Sequence, residues 1–109
     1  MIVQLRLEEF IDVSELVITG HSLGGALTCL NALDFQLRQD RFEMDSKIKI
    51  SAYPLASPRT GNHEFREIFN RKVSSCDRLV LEADMVPRVP PKSIGFHHVG
   101  RKIKLQSKE

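Results

Sequence analysis

Ser22 stands in the run Gly20-His21-Ser22-Leu23-Gly24-Gly25, and the spacing G-x-S-x-G is the mount that a nucleophilic hydroxyl needs. A serine hydroxyl attacks a carbonyl only when it projects clear of its surroundings. A strained strand-to-helix turn achieves this, and glycines two positions to either side let the turn close against neighbouring backbone. Leu23, the residue after the serine, offers its backbone N–H to the oxygen that turns negative during attack. A helix that begins there adds further free N–H groups and the positive end of its dipole. Gly20, His21 and Gly24 complete this nucleophile elbow. The bland alternative is a glycine-rich turn with an idle serine; the setting, after an apolar run and before a helix-period segment, argues for the mount.

A serine at neutral pH is a weak nucleophile and needs a base within hydrogen-bond reach, itself oriented by a carboxylate. Asp84, just past the apolar run Arg78-Leu79-Val80-Leu81, is the expected orienting carboxylate. Its alternative role is a turn former or cap before the proline-rich loop. Glu82 is its rival, two positions upstream on the same side of the strand, and ranks lower because it is read as lying inside the strand. The histidines are His21, His63, His97 and His98. His21, beside the nucleophile, is expected to point away from the attack site in a structural role, and His63, early in a helix, to be solvated. His97 or His98 would place a base in the chain order Ser, Asp, His that such elbows use.

These residues need elements to position them. Val3 to Phe10 shows one apolar helical face, broken by Asp12-Val13-Ser14 before the strand Leu16-Val17-Ile18-Thr19. After the elbow, Ala26 and the leucines 23, 27, 30, 33 and 37 recur at helical steps, which predicts a helix burying its leucine side on a sheet. Lys47 to Tyr53 alternates as a second strand ending at Pro54, and Pro54 to Gly61 reads as a loop. Asn62 caps a helix through Phe65, Ile68 and Phe69, with Glu64 and Glu67 in its first turns and Arg71 and Lys72 near its end. Arg78 to Leu81 forms a third strand. The order β-α-β-α-β argues for right-handed crossovers and a parallel sheet, hence an α/β fold. Asp84 to Pro91 carries three prolines and reads as an extended loop, His98 to Leu105 as an edge or hairpin strand, and Gln106 to Glu109 as a frayed tail.

With 109 residues, 41% hydrophobic and 28% charged, and a formal net charge of +2, the chain reads as one domain, 1–109, with a thin core. No basic run is interleaved with aromatics, so nothing recommends nucleic acid. No apolar stretch reaches membrane-spanning length, and Glu8, Glu9 and Asp12 sit where a signal peptide would be basic and then apolar. The compartment is thus open, with the cytoplasm as default. Cys29 and Cys76 read as two buried free thiols; a disulfide would need their elements to touch. No cofactor or metal motif is present.

Four blocks in register, Val17 to Ala26, Ser57-Pro58-Arg59-Thr60-Gly61-Asn62, Asp84 to Pro91 and Phe96-His97-His98-Val99-Gly100, resemble the class 3 (fungal-type) lipase family from Leu16 to about Gly100. The resemblance implies part of an α/β-hydrolase fold with three to four strands, and a carboxylic ester hydrolase of the triacylglycerol or phospholipid type, with Ser22 as nucleophile and Asp84 as its acid partner. It aligns His98 with a structural position and places the family's catalytic histidine on a later segment. The lid helix and the loop giving the second oxyanion donor are unmatched, so the chain reads as the central portion of a lipase. Another departure is Leu55-Ala56 before Ser57-Pro58-Arg59, where the family usually has a glycine. A lipid ester substrate, contact with a lipid interface and self-association of an incomplete sheet are the expected partners. The other reading is a catalytically inactive lipase-like scaffold that binds lipid or a protein; an acyltransferase or thioesterase of the same fold is a third.

Overall fold

The computed structural model describes residues 14–42 and 48–106; the helix expected over Val3 to Phe10 lies outside them. In chain order the elements are strand β1 (Glu15–His21), helix α1 (Leu23–Arg41), strand β2 (Lys49–Leu55), helix α2 (His63–Lys72), strand β3 (Ser75–Leu81) and strand β4 (Arg101–Leu105). Short 3-10 turns occupy Val86–Arg88 and Lys92–Ile94 in the link from β3 to β4. The strands form one sheet in the order β1-β2-β3-β4, and every pair is parallel. The expected parallel α/β sheet is thus present with four strands.

Both helices pack on one face of that sheet. Cys29, Ala32 and Leu33 of α1 and Phe69 of α2 meet Ile50 and Ala52 of β2 and Cys76 of β3 in a single apolar cluster, closed by Val73 and Val99. Cys29 and Cys76 are free and buried, as their apolar surroundings imply. Gln39 is one of the buried polar residues and is satisfied at two points. Its Nε2 donates to the Ile48 carbonyl at 2.9 Å and its Oε1 accepts from the Ile48 N–H at 2.6 Å, which ties the end of α1 to the start of β2. Asn62 caps α2 as expected, its side-chain oxygen accepting from the Phe65 N–H at 2.9 Å.

Three expectations are corrected. Most of the leucine side of α1 does not face the sheet: Leu23, Leu27, Leu30 and Leu37 are exposed, while Leu33 and Ala26 of the expected stripe are buried together with Gly25, Thr28, Cys29 and Ala32. The small residues win because the helix lies so close to the loop after β2 that a Cβ on Gly25 would sit 2.7 Å from the Ser57 Cβ. Secondly, β2 runs through Pro54 to Leu55. Proline lacks the donor that a ladder needs, and the β2–β3 pairing is interrupted between Ala52 and Leu55 while its register is kept. Thirdly, β3 begins at Ser75 and ends at Leu81, so Glu82 lies in the turn beyond the strand. Of the two readings of His98 to Leu105, an edge or a hairpin strand, the edge one holds: among the described residues β4 lies at the edge of the sheet and runs parallel to β3.

Candidate active site

The turn from β1 into α1 puts Ser22 at φ 57° and ψ −120°, a conformation that costs a non-glycine residue of order 1–3 kcal/mol. Three contacts hold it there. The Ser22 N–H donates to the Leu55 carbonyl at 2.8 Å, and the Ser22 carbonyl accepts from the Gly25 N–H at 2.8 Å and the Ala26 N–H at 3.4 Å. A serine at a helix N-cap ordinarily spends its hydroxyl on the first turn; here no such bond forms, so the strain leaves the hydroxyl outside the helix. Leu23 is the first helical residue, and its N–H belongs to the first turn, which has no intrahelical acceptor.

The two elbow glycines are not equivalent. A Cβ on Gly20 would press on the Gly24 carbonyl, 2.6 Å from its carbon, and lie 2.9 Å from Thr28 Oγ1. A Cβ on Gly24 would meet no described atom within 4 Å. The backbone closure needs glycine at 20 and again at 25, where Ser57 crowds it, and not at 24.

Asp84 leaves the same edge of the sheet as Ser22. His21, Leu55 and Leu79 lie side by side across β1, β2 and β3, so the serine one residue beyond His21 and the aspartate beyond Leu81 both follow carboxyl ends of parallel strands. They stand two strands apart, a lateral distance of about 10 Å at roughly 4.8 Å per strand. Asp84 is half-buried, its Oδ1 accepts from the Val86 N–H at 3.0 Å, and its own N–H donates to the Leu81 carbonyl at 3.1 Å. Glu82, the rival, is exposed and paired with Lys104 at 3.1 Å.

Two side chains clamp the loop that carries Asp84, and sequence reasoning gave neither that role. Arg59 Nη1 donates to the Arg88 and Pro90 carbonyls at 2.5 and 3.1 Å, while its backbone N–H donates to the Val89 carbonyl at 2.8 Å. His98 Nε2 lies 2.5 Å from the Pro87 carbonyl. Burial, the charge of Arg78 and lesser pushes from Arg59 and Lys102 drive the His98 pKa down to about 4 against that hydrogen bond. The ring is neutral at pH 7 with Nε2–H donating, so it is committed to the acid loop.

The other histidines are placed as follows. His97 is bridged through its backbone to Gly61, with its ring edge-on to His63 at 5.8 Å. His63 is exposed beside Glu67 at 3.4 Å, in line with its expected solvation. His21 is exposed at the end of β1. Ala56, one of the pair Leu55-Ala56 noted above, adopts φ 51°, a left-handed conformation in which alanine is strained by about 1–2 kcal/mol.

The family model for lipase (class 3) matches residues 3–94. A lipase of Rhizopus niveus is 37% identical over 86 residues, covering 79% of this chain and 21% of its own length. The crystal structure of a lipase from Rhizopus microsporus var. chinensis superposes with a TM-score of 0.79 at 31% identity, over 92% of this chain and 33% of that one. A triacylglycerol lipase described as having a serine-protease triad at its catalytic centre gives a TM-score of 0.78 at 32% identity, over 91% and 36% of the two chains. The chain thus spans between about a fifth and about a third of the length of these relatives.

Proposed function

The chain belongs to the class 3 lipase family and has the α/β-hydrolase sheet, and from that premise we propose that it supplies the nucleophile and acid of a carboxylic ester hydrolase acting on triacylglycerols or phospholipids. Ser22 Oγ attacks the ester carbonyl and gives its proton to an imidazole; the tetrahedral oxyanion rests against the Leu23 N–H. Collapse expels the alcohol with a proton returned from that imidazole and leaves an acyl-serine. Water, deprotonated by the same base, then releases the fatty acid and restores Ser22. Asp84 Oδ2, which no described donor occupies, orients the imidazole. The base is a histidine outside the segment described, as the family resemblance implies, since His98 already serves the Pro87 carbonyl. The observation that carries the reading is the strained Ser22, with its hydroxyl withheld from the helix cap.

Commitment of His98 to the loop favours a second reading for the chain on its own: it binds lipid ester without turnover. Loss of the base from such a triad costs about 10⁶-fold in rate. Reaction of the full chain with a fluorophosphonate ester decides between them. An activated serine yields a phosphonylated peptide containing Ser22 that is absent from Ser22→Ala and slowed in Asp84→Asn. A folded chain that stays unlabelled removes the hydrolase reading for these 109 residues by themselves and leaves the binding one.

A further inference from the structure

A pocket of about 370 Å³ opens over the β3–β4 half of the sheet. The register that pairs Arg78 with Lys102 and Val80 with Lys104 puts all four on one face, where β2 has apolar Ile50 and Ala52 instead. Arg59, Arg66 and Arg88 converge on the same space from the loops and α2, with Lys92 at its edge. The pocket's carboxylates are Glu82, held by Lys104, and Asp84, whose Oδ1 takes the Val86 N–H. Among the described residues, the four arginines together with Lys92 and Lys102 have no carboxylate partner in an ion pair.

Arg78 is buried, and Arg59 is partly buried, without a carboxylate to balance either charge among the described residues. Arg78 is only 7% exposed, and its one hydrogen bond among the described residues runs from Nε to the Val99 carbonyl at 2.8 Å. Arg59 Nε is buried with no acceptor. Burial is the main force lowering the Arg78 pKa, and the charges of Arg59 and Arg66 add to it; the same positive field presses on His98. A buried guanidinium left unpaired is costly, and a tetrahedral oxyanion with several acceptor oxygens matches its forked donors.

We propose that this pocket binds a phosphate group, either free phosphate or the phosphate of a lipid headgroup, with Arg78 at its base and Arg66, Lys92 and Lys102 at its rim. A dianion suits the excess of cations better than a single carboxylate does, and the site does not depend on Ser22.

The test titrates the full chain at neutral pH with inorganic phosphate, and separately with phosphatidylcholine vesicles with and without phosphatidic acid. Chloride at matched ionic strength is the control. Arg66→Glu/Lys102→Glu changes exposed positions, so far-UV dichroism checks that its fold is kept. Saturable binding of inorganic phosphate, weakened about tenfold or more in the double variant, together with an upward move of the His98 ring titration from about 4, supports a site for free phosphate. Binding only to vesicles carrying phosphatidic acid, lost in the same variant, supports the headgroup. No saturable binding in either arm, equal binding by the variant, or an equal effect of chloride overturns the proposal. None of these readouts requires ester cleavage, so they stand apart from the fate of the hydrolase reading.

Discussion

Alanine at position 20 and alanine at position 24 should move stability in opposite directions, although the motif treats the two glycines alike. At Gly20 the new Cβ lies 2.6 Å from the Gly24 carbonyl carbon, and ordinary contact begins near 3.4 Å, so the first turn of α1 must retreat by about 0.8 Å. Overpacking of this kind costs about 1–3 kcal/mol. The shift also strains the bond from Thr28 Oγ1 to the Gly24 carbonyl, now 2.8 Å, whose loss adds about 1 kcal/mol. The expected loss is about 2–4 kcal/mol, a large part of a domain's net stability. Gly24→Ala meets no described atom within 4 Å and adds helix propensity, a gain of up to about 1 kcal/mol. Urea unfolding of the full chain, with slopes compared to confirm a common denatured state, measures both. A Gly20→Ala chain as stable as Gly24→Ala would refute the claim that backbone closure under the elbow rests on residue 20.

Three further outcomes follow from the same geometry. His98 ordinarily titrates near 6.5 and is held near 4 in the fold, so between those values the unfolded chain binds the proton that the folded one refuses. Stability therefore falls as pH drops from 6.5, by about 3 kcal/mol at most by pH 4 and by less once solvent screening of the partly exposed ring is counted; in His98→Gln the acid limb of urea midpoints against pH should flatten, and an unchanged limb removes this account of His98. Ala56→Gly relieves strain at φ 51° worth about 1–2 kcal/mol, against about 0.4–1 kcal/mol of added freedom in the unfolded chain, so thermal unfolding should show a net gain of up to about 1.6 kcal/mol; a clear loss would mean that the buried methyl outweighs the strain. The exposed stripe of Leu23, Leu27 and Leu30 should drive self-association visible by sedimentation and abolished in Leu27→Glu/Leu30→Glu, whereas a monomeric parent chain would contradict this.

The sheet was legible because its signals are local. Alternation in β2, a capping asparagine before α2 and the order of strands and helices each follow from a few adjacent residues. The buried side of α1 was not legible for a definite reason. The leucines are the larger apolar side chains of the helix and recur at helical steps, and periodicity finds such a stripe without saying how near the neighbouring backbone lies. Gly25 against Ser57 sets that distance, and Cys29 and Ala32 fill what remains. Pro54 misled in a related way: it ended the strand on paper, whereas in the fold one missing donor interrupts the ladder and the parallel register carries on past it.

At the site the same division holds between what a residue does to its own backbone and what distant side chains do to it. Ser22 was readable because its strain is intrinsic to the turn, and the bonds that maintain it come from Leu55 and from its own helix. Asp84 was readable as a strand-end carboxylate, but its anchoring was not. Arg59, 25 positions upstream, and His98, 14 downstream, grip the carbonyls of Pro87, Arg88 and Pro90, and a carbonyl that accepts such a bond looks in sequence like any other. Ser22 and Asp84 are therefore held by separate means, one by a turn that stores strain and one by a loop tied from both sides. Disturbing Arg59 or His98 should displace the acid and leave the elbow in place, so the elbow motif alone says little about how well the pair is aligned.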